Sequence, residues 1–189
     1  MSADPSDEEL VRRFRAGREE AFVALVERHE RRVYNLAFRM LGKAEDARDA
    51  TQDAFLSCFR KLSSFRGDAA FSTWLHRIAV NACYDSLRKR ARTPVVSAEA
   101  PEPAPSPDHA DRAAAAADVQ QALLAVPDEF RVVLVMHDAQ DLPLEEIAGI
   151  LQIPLGTVKS RLHRGRVALG RALTREPQGV PGSSKPSIP

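Results

Sequence analysis

"LEEIAGILQIPLGTVKSRLHRGRVAL", Leu144–Leu169, decides how this chain folds. It opens as an acidic, half-apolar helix, breaks at Ile153-Pro154 and resumes with a basic side chain on nearly every turn. Lys159, Arg161, Arg164, Arg166, Arg171 and Arg175 fall between Thr157 and Arg175 with no acid among them. At 100° per residue, Leu155, Leu162, Leu169 and Leu173 cluster within about 60° of Val158. Ser160, His163, Arg164 and Arg171 lie opposite, flanked by Lys159 and Arg161. One stripe docks on a core and the other faces outward. Ile147, Ile150 and Leu151 of the preceding helix supply that core, and the turn "QIPLG" joins the two helices as in a helix-turn-helix. Such a motif sets its second helix in the DNA major groove. Lys and Arg there neutralise phosphates and bond guanine edges.

Around this motif, proline sets the organisation. None occurs between Pro5 and Pro94; then Pro94, Pro101, Pro103, Pro105 and Pro107 arrive together. Because proline is excluded from helix interiors, the first stretch can be helical and the second reads as an extended linker. The predicted organisation is an N-terminal domain over 1–92, a flexible linker over 93–114, a C-terminal domain over 115–176 and a disordered tail over 177–189. A flexible tether predicts two domains that move independently.

Four helical patterns fill the first domain. "SDEE" at Ser6–Glu9 fits a capping box and Gly17 a stop. Phe22, Leu25, Val26, His29, Val33, Leu36, Ala37 and Met40 follow the i, i+3, i+4, i+7 rule up to Gly42. A third helix runs from about Ala44 to Leu62, and a fourth carries Phe71, Trp74, Leu75, Ile78, Ala82 and Cys83 into the basic run "LRKRAR". Four more helices, roughly Ala115–Ala125, Asp128–Ala139, Leu144–Leu151 and Leu155–Leu173, make the second domain. No strand-like alternation occurs, so the fold class is all-α: two small helical domains, the C-terminal one with a helix-turn-helix.

The bulk numbers exclude other classes. The chain has 189 residues, 44% hydrophobic and 28% charged, with net charge +1. No run of eighteen apolar residues suggests a membrane span. The acidic start "MSADPSDEEL" lacks signal-peptide character, and a cytoplasmic protein is expected. Cys58 and Cys83 sit in apolar helical patterns and read as buried, reduced thiols. No cofactor or metal is expected, because no phosphate-binding glycine loop or clustered Cys/His spacing is present.

"LPLEEIAGILQIPLGTVKSRLHRGRVAL" resembles the C-terminal helix-turn-helix domain of bacterial RNA polymerase sigma factors. "GTVKSRLHRGR" is particularly close to the extracytoplasmic-function (group IV) subgroup. "AEDARDATQDAFLSCFRKLSSFRGDAAFSTWLHRIAVNACYDSLRKRAR" is similar to the N-terminal domain of the same subgroup. The two blocks stand in the family's order and cover nearly all of the chain outside linker and tail.

The resemblance implies a function: binding core RNA polymerase and directing promoter-specific initiation, with promoter DNA, the β′ clamp helices, the β subunit and an anti-sigma factor as partners. Composition alone reads the acids of "AEDARDATQDAF" as a solvated face. The family match assigns Asp46, Asp49, Gln52, Asp53 and the anchor Leu56 to the polymerase contact, with Glu45 on the same acidic surface. It assigns Phe65 and Asn81 to a base flipped from the −10 element, a base that costs a few kcal/mol to unstack. Arg66, Arg77, Arg88, Lys89 and Arg90 track phosphates. Trp74 and Phe71 read as core by their spacing with Ile78. Readout of the −35 element falls to Lys159, Ser160, His163 and Arg164, with Thr157 or the helix-start N–H groups taking a phosphate.

Three other functions compete with this one. A stand-alone helix-turn-helix regulator needs a ligand pocket or dimer stripe that the pattern lacks. An enzyme built on His137-Asp138 fails because adjacent helical residues point about 100° apart. A helical scaffold leaves the basic helix unexplained.

Overall fold

Ser6 begins α1 (Asp7–Arg15) as its pattern requires, its hydroxyl accepting from the Glu9 N–H at 3.3 Å. The computed structural model describes residues 4–92 and 107–174. Gly17 and Gly42 take the left-handed backbone expected of helix stops, with φ of 86° and 82°. Gly42 closes α2 (Glu20–Leu41), whose periodic Leu25, Val33, Leu36, Ala37 and Met40 are all buried. α3 (Ala44–Leu62) and α4 (Phe71–Arg92) complete a bundle in which α2, α3 and α4 pack against one another and α1 lies on α2. α1 is pinned by charge. Arg28 bonds both Asp4 and Asp7, and the buried His29 donates Nε2–H to Asp7 at 2.8 Å.

The C-terminal unit comprises α5 (Pro107–Leu124), α6 (Asp128–Leu134), a π-helical turn (Val135–Ala139), α7 (Leu144–Leu151) and α8 (Leu155–Leu173). The described residues contain only helices and the turns between them.

Three expectations need correction. α5 starts at Pro107, about two turns before Ala115, because proline is tolerated in a first turn where its missing N–H has no partner to lose. The expected continuous helix Asp128–Ala139 changes to π geometry at Val135. Leu173, placed on the core stripe by the wheel, is 49% exposed, because α8 outruns the elements beneath it. The remaining linker residues, 93–106, and the tail from 175 lie outside the described residues.

In this structure the two units touch. α5, α6 and the π turn pack on α2, and α7 packs on α4. The buried residues of both units form one contiguous cluster. Arg131, itself buried, joins them. Its guanidinium donates to the carbonyls of Leu123, Leu124 and Val126 in its own unit and to Met40 at the end of α2, at 2.6 to 2.9 Å. Gln120 reaches the Phe38 carbonyl at 3.2 Å. The carbonyls of the last turn of α2 thus receive a cation and an amide from the other unit, the partners a helix dipole favours. A linker's composition says nothing about the surfaces it joins, and here those surfaces are complementary.

Candidate nucleic-acid interface

Pro154 precedes α8 and Val158 and Leu162 anchor it, both buried. Gly165 lets it lie close to α6: a Cβ there would stand 3.1 Å from Leu134 Cδ1 and 3.2 Å from the Phe130 carbonyl oxygen. The opposite face is exposed at Lys159, Ser160, His163 and Arg164, the residues expected to read DNA, while Thr157 is half-buried. The Ser160 hydroxyl donates to the Thr157 carbonyl at 3.0 Å, which leaves its oxygen free to accept.

The basic residues divide their work. Arg161 pairs with Glu129 at 3.0 Å. Arg166 makes two bonds to Asp138, at 2.6 and 3.0 Å, and holds that carboxyl below the usual carboxylate range. Both are committed within the domain. Arg164 has its guanidinium carbon 6.0 Å from the Phe130 ring centre, a contact that orients it without neutralising it. Asp138 and the neighbouring His137, whose Nδ1 pairs with the Leu142 carbonyl, thus have separate partners and form no dyad.

In the N-terminal bundle, Phe65 is buried, tilted against Trp74 at 4.9 Å and edge-on to Phe71 at 6.2 Å. It walls a depression formed with Arg66, Gly67, Trp74 and Arg77. Asn81 is exposed in a different groove, between α3 and α4, with Arg88 and Lys89. The two residues expected around one flipped base therefore line separate depressions. Arg60 and Lys61 of α3 join Asn81's groove, and sequence reasoning missed them. Their position beside the apolar stripe of α3 was the available signal. Arg66 is exposed, whereas Arg77 donates to the Gly149 carbonyl at 2.9 Å.

The expected polymerase residues share one helix but two grooves. Asp46, Asp49, Gln52 and Asp53 face Ser86, Lys89 and Arg90 of α4. Gln52 and Leu56 also rim an apolar groove between α2 and α3, lined by Phe22, Val26, Phe55 and Phe59. Leu56 and Phe59 are 45% and 41% exposed, outward apolar side chains beside an acidic row. Phe22 and Val26 were read from the sequence only as part of the periodic stripe of α2, and Phe59 was not singled out.

Cys58 and Cys83 are buried as expected, and burial pushes both thiols up to about 12. Among the described residues no group of three His, Cys, Asp or Glu side chains could hold a metal. No described helix is long and apolar enough to cross a membrane.

Two family models match the chain: Sigma-70 region 2 over residues 25–93 and Sigma-70, region 4 over residues 116–169. The ECF RNA polymerase sigma factor SigM of Mycobacterium tuberculosis is 43% identical over 168 residues, 89% of this chain and 85% of that one. The RNA polymerase sigma-H factor of Pseudomonas aeruginosa is 36% identical over 186 residues, 92% and 96% of the two chains. Among solved structures, the sigma factor RpoE in complex with the anti-sigma factor NepR from Bartonella quintana superposes with a TM-score of 0.66 at 25% identity, covering 82% and 98%. CnrH in complex with the cytosolic domain of CnrY does so with a TM-score of 0.66 at 26%, covering 90% and 99%.

Proposed function

Since this chain belongs to the sigma-70 family, in its extracytoplasmic-function subgroup, we propose how its residues share the work of a sigma factor. It is a promoter-specific transcription initiation factor and not an enzyme. The observation that carries the residue-level reading is the sorting of charge on α8, where Arg161 and Arg166 are committed to acids while Lys159, Ser160, His163 and Arg164 face out. Arg164 and Lys159 read base edges of the −35 element, Ser160 and His163 add polar contacts, and Thr157 at the helix start takes a phosphate.

The N-terminal bundle handles the −10 element. Asn81, Arg88 and Lys89 hold the separated strand in the α3/α4 groove, joined by Arg60 and Lys61. Phe65 walls the neighbouring depression for an extruded base, with Arg66 and Arg77 at its rim. Leu56, beside Phe22 and Phe59, is the apolar anchor for core polymerase, and Asp46, Asp49, Gln52 and Asp53 form its charged rim. On this reading the protein acts in the cytoplasm. One similar structure holds an anti-sigma factor, and by that likeness one is expected to regulate this chain.

Run-off transcription with purified core polymerase on a promoter library tests the reading. A discrete promoter set, dependent on the added chain, is the expected result. Failure to bind core from the native host would overturn it. Tight binding to duplex promoter DNA without polymerase would favour a stand-alone regulator instead.

A further inference from the structure

Arg164 is held differently from the arginines on either side of it. Arg161 gives its guanidinium to Glu129, and Arg166 gives two N–H groups to Asp138. Among the described residues Arg164 is in no ion pair, and its guanidinium lies over the ring of Phe130. Phe130 is half-buried in the first turn of α6, its N–H bonded to the Pro127 carbonyl at 2.9 Å. α8 comes close to α6 at this level because the residue after Arg164 is Gly165. A Cβ there would stand 3.2 Å from the Phe130 carbonyl oxygen and 3.4 Å from the Phe130 Cβ. The bidentate Arg166–Asp138 pair secures the helix two residues further on. Ring and guanidinium are thus set against each other by the packing of the two helices.

A ring holds a guanidinium without using it up. A carboxylate takes its N–H donors and cancels its charge, as at Arg161 and Arg166. An aromatic face attracts the cation through its quadrupole and leaves the donors of the planar fork available. That fork matches the O6 and N7 acceptors of guanine. A long side chain free on an exposed helix face must also give up its rotamer freedom on binding. One already resting on a ring has less to lose.

We propose that Phe130 is a positioning residue for −35 readout, its ring aiming the Arg164 guanidinium at a guanine of the element while leaving the donors free. The proposal rests on the reading of Arg164 as a base contact. Phe130 acts through Arg164 and not on the DNA itself. Its loss therefore changes how sharply the chain tells one site from another more than how firmly it grips duplex, because contacts to phosphate do not depend on it.

The test uses holoenzyme assembled from the full chain and core polymerase. It is bound to duplex carrying the −35 sequence selected from the promoter library, and to the same duplex with a carbon in place of N7 in each guanine of the element. Wild type should bind the altered duplex more weakly. Phe130→Leu keeps an apolar side chain and removes the ring. It should narrow the difference between the two duplexes about two- to fivefold, the size of an exposed cation–π contact. Phe130→Tyr keeps the ring and should keep the difference. In an Arg164→Ala background, Phe130→Leu should change nothing further. Phe130→Met, equally without a ring, takes its place if Phe130→Leu melts below the assay temperature. No narrowing in the ring-free variant, equal narrowing by Phe130→Tyr, or an effect that persists without Arg164 would overturn the proposal and leave Arg164 as a base contact. A selected sequence without guanine, or an Arg164→Ala chain that responds to the altered duplex as wild type does, would overturn that reading of Arg164 and the role of Phe130 with it.

Discussion

Gly42, the left-handed residue that ends α2, faces Leu124 of α5 across the contact between the two halves: a Cβ built on Gly42 would stand 2.4 Å from Leu124 Cδ1. Gly17 ends α1 with nearly the same φ but has nothing within 4 Å of its Cβ position. Gly17→Ala should therefore cost only the left-handed strain, about 1 kcal/mol. Gly42→Ala should cost more, because Leu124 must also turn aside. Urea midpoints of the two variants check this. Equal losses would mean that Leu124 rotates away freely.

Charge reversal at Asp49 and Asp53 should weaken core binding tenfold or more if these acids meet a basic partner, as the loss of a few charge contacts implies at about 1.4 kcal/mol per tenfold. The same acids face Lys89 and Arg90 of α4, so the double Lys variant should also melt slightly earlier. Affinity for core, measured at a temperature where the variant is folded, separates the two effects. Unchanged affinity removes these residues from the interface.

Arg164 and Arg171 share a helix face at different distances from the helix start. Arg164→Ala should cost about 1–3 kcal/mol at the preferred −35 sequence and blunt discrimination there. Arg171→Ala should act weakly and alike on every sequence, reducing salt dependence. The Phe130 contact of Arg164 adds about 0.5–1 kcal/mol to folding, so a melting curve must accompany the binding comparison. Equal weakening at matched and scrambled sites would assign Arg164 to the backbone.

His29 gives stability a pH dependence of known sign. Burial pushes its pKa below the ordinary histidine value, against a smaller opposing pull from Asp7. The unfolded chain then takes up the proton more readily than the folded one. The contribution is complete above about pH 6.5 and is lost as the pH falls towards the depressed folded value. His29→Gln should flatten the fall in melting temperature between neutral and mildly acidic pH. A variant that keeps the same slope would point to another group.

Most helices were legible because their burial is periodic: Leu25, Val33, Leu36 and Met40 needed only a wheel, and Ser6 and Gly42 announced the ends. The joined halves were not legible. Thr73, Gln140 and Glu146 look like ordinary surface residues on any wheel, and Arg131 is buried only because four carbonyls from three places converge on it. The resemblance assigned Phe65 to a flipped base, but nothing in the sequence showed that Phe71 and Trp74 pack around it. Pro107 misled because a rule about helix interiors was extended to a helix start.

The π-helical turn at Val135–Ala139 carries a consequence for insertions and deletions. Such a turn holds one residue more than an α turn, so everything after it is offset by about 100° from the register of a continuous helix. Gln140 follows this turn directly and owes its aim at His76 and Arg32 to the extra residue. Deleting Ala139 would let α6 run on as plain α-helix, with its buried valines undisturbed, while swinging Gln140 off its target. Relatives differing by a single residue at this point would keep both folded halves and differ in how they meet.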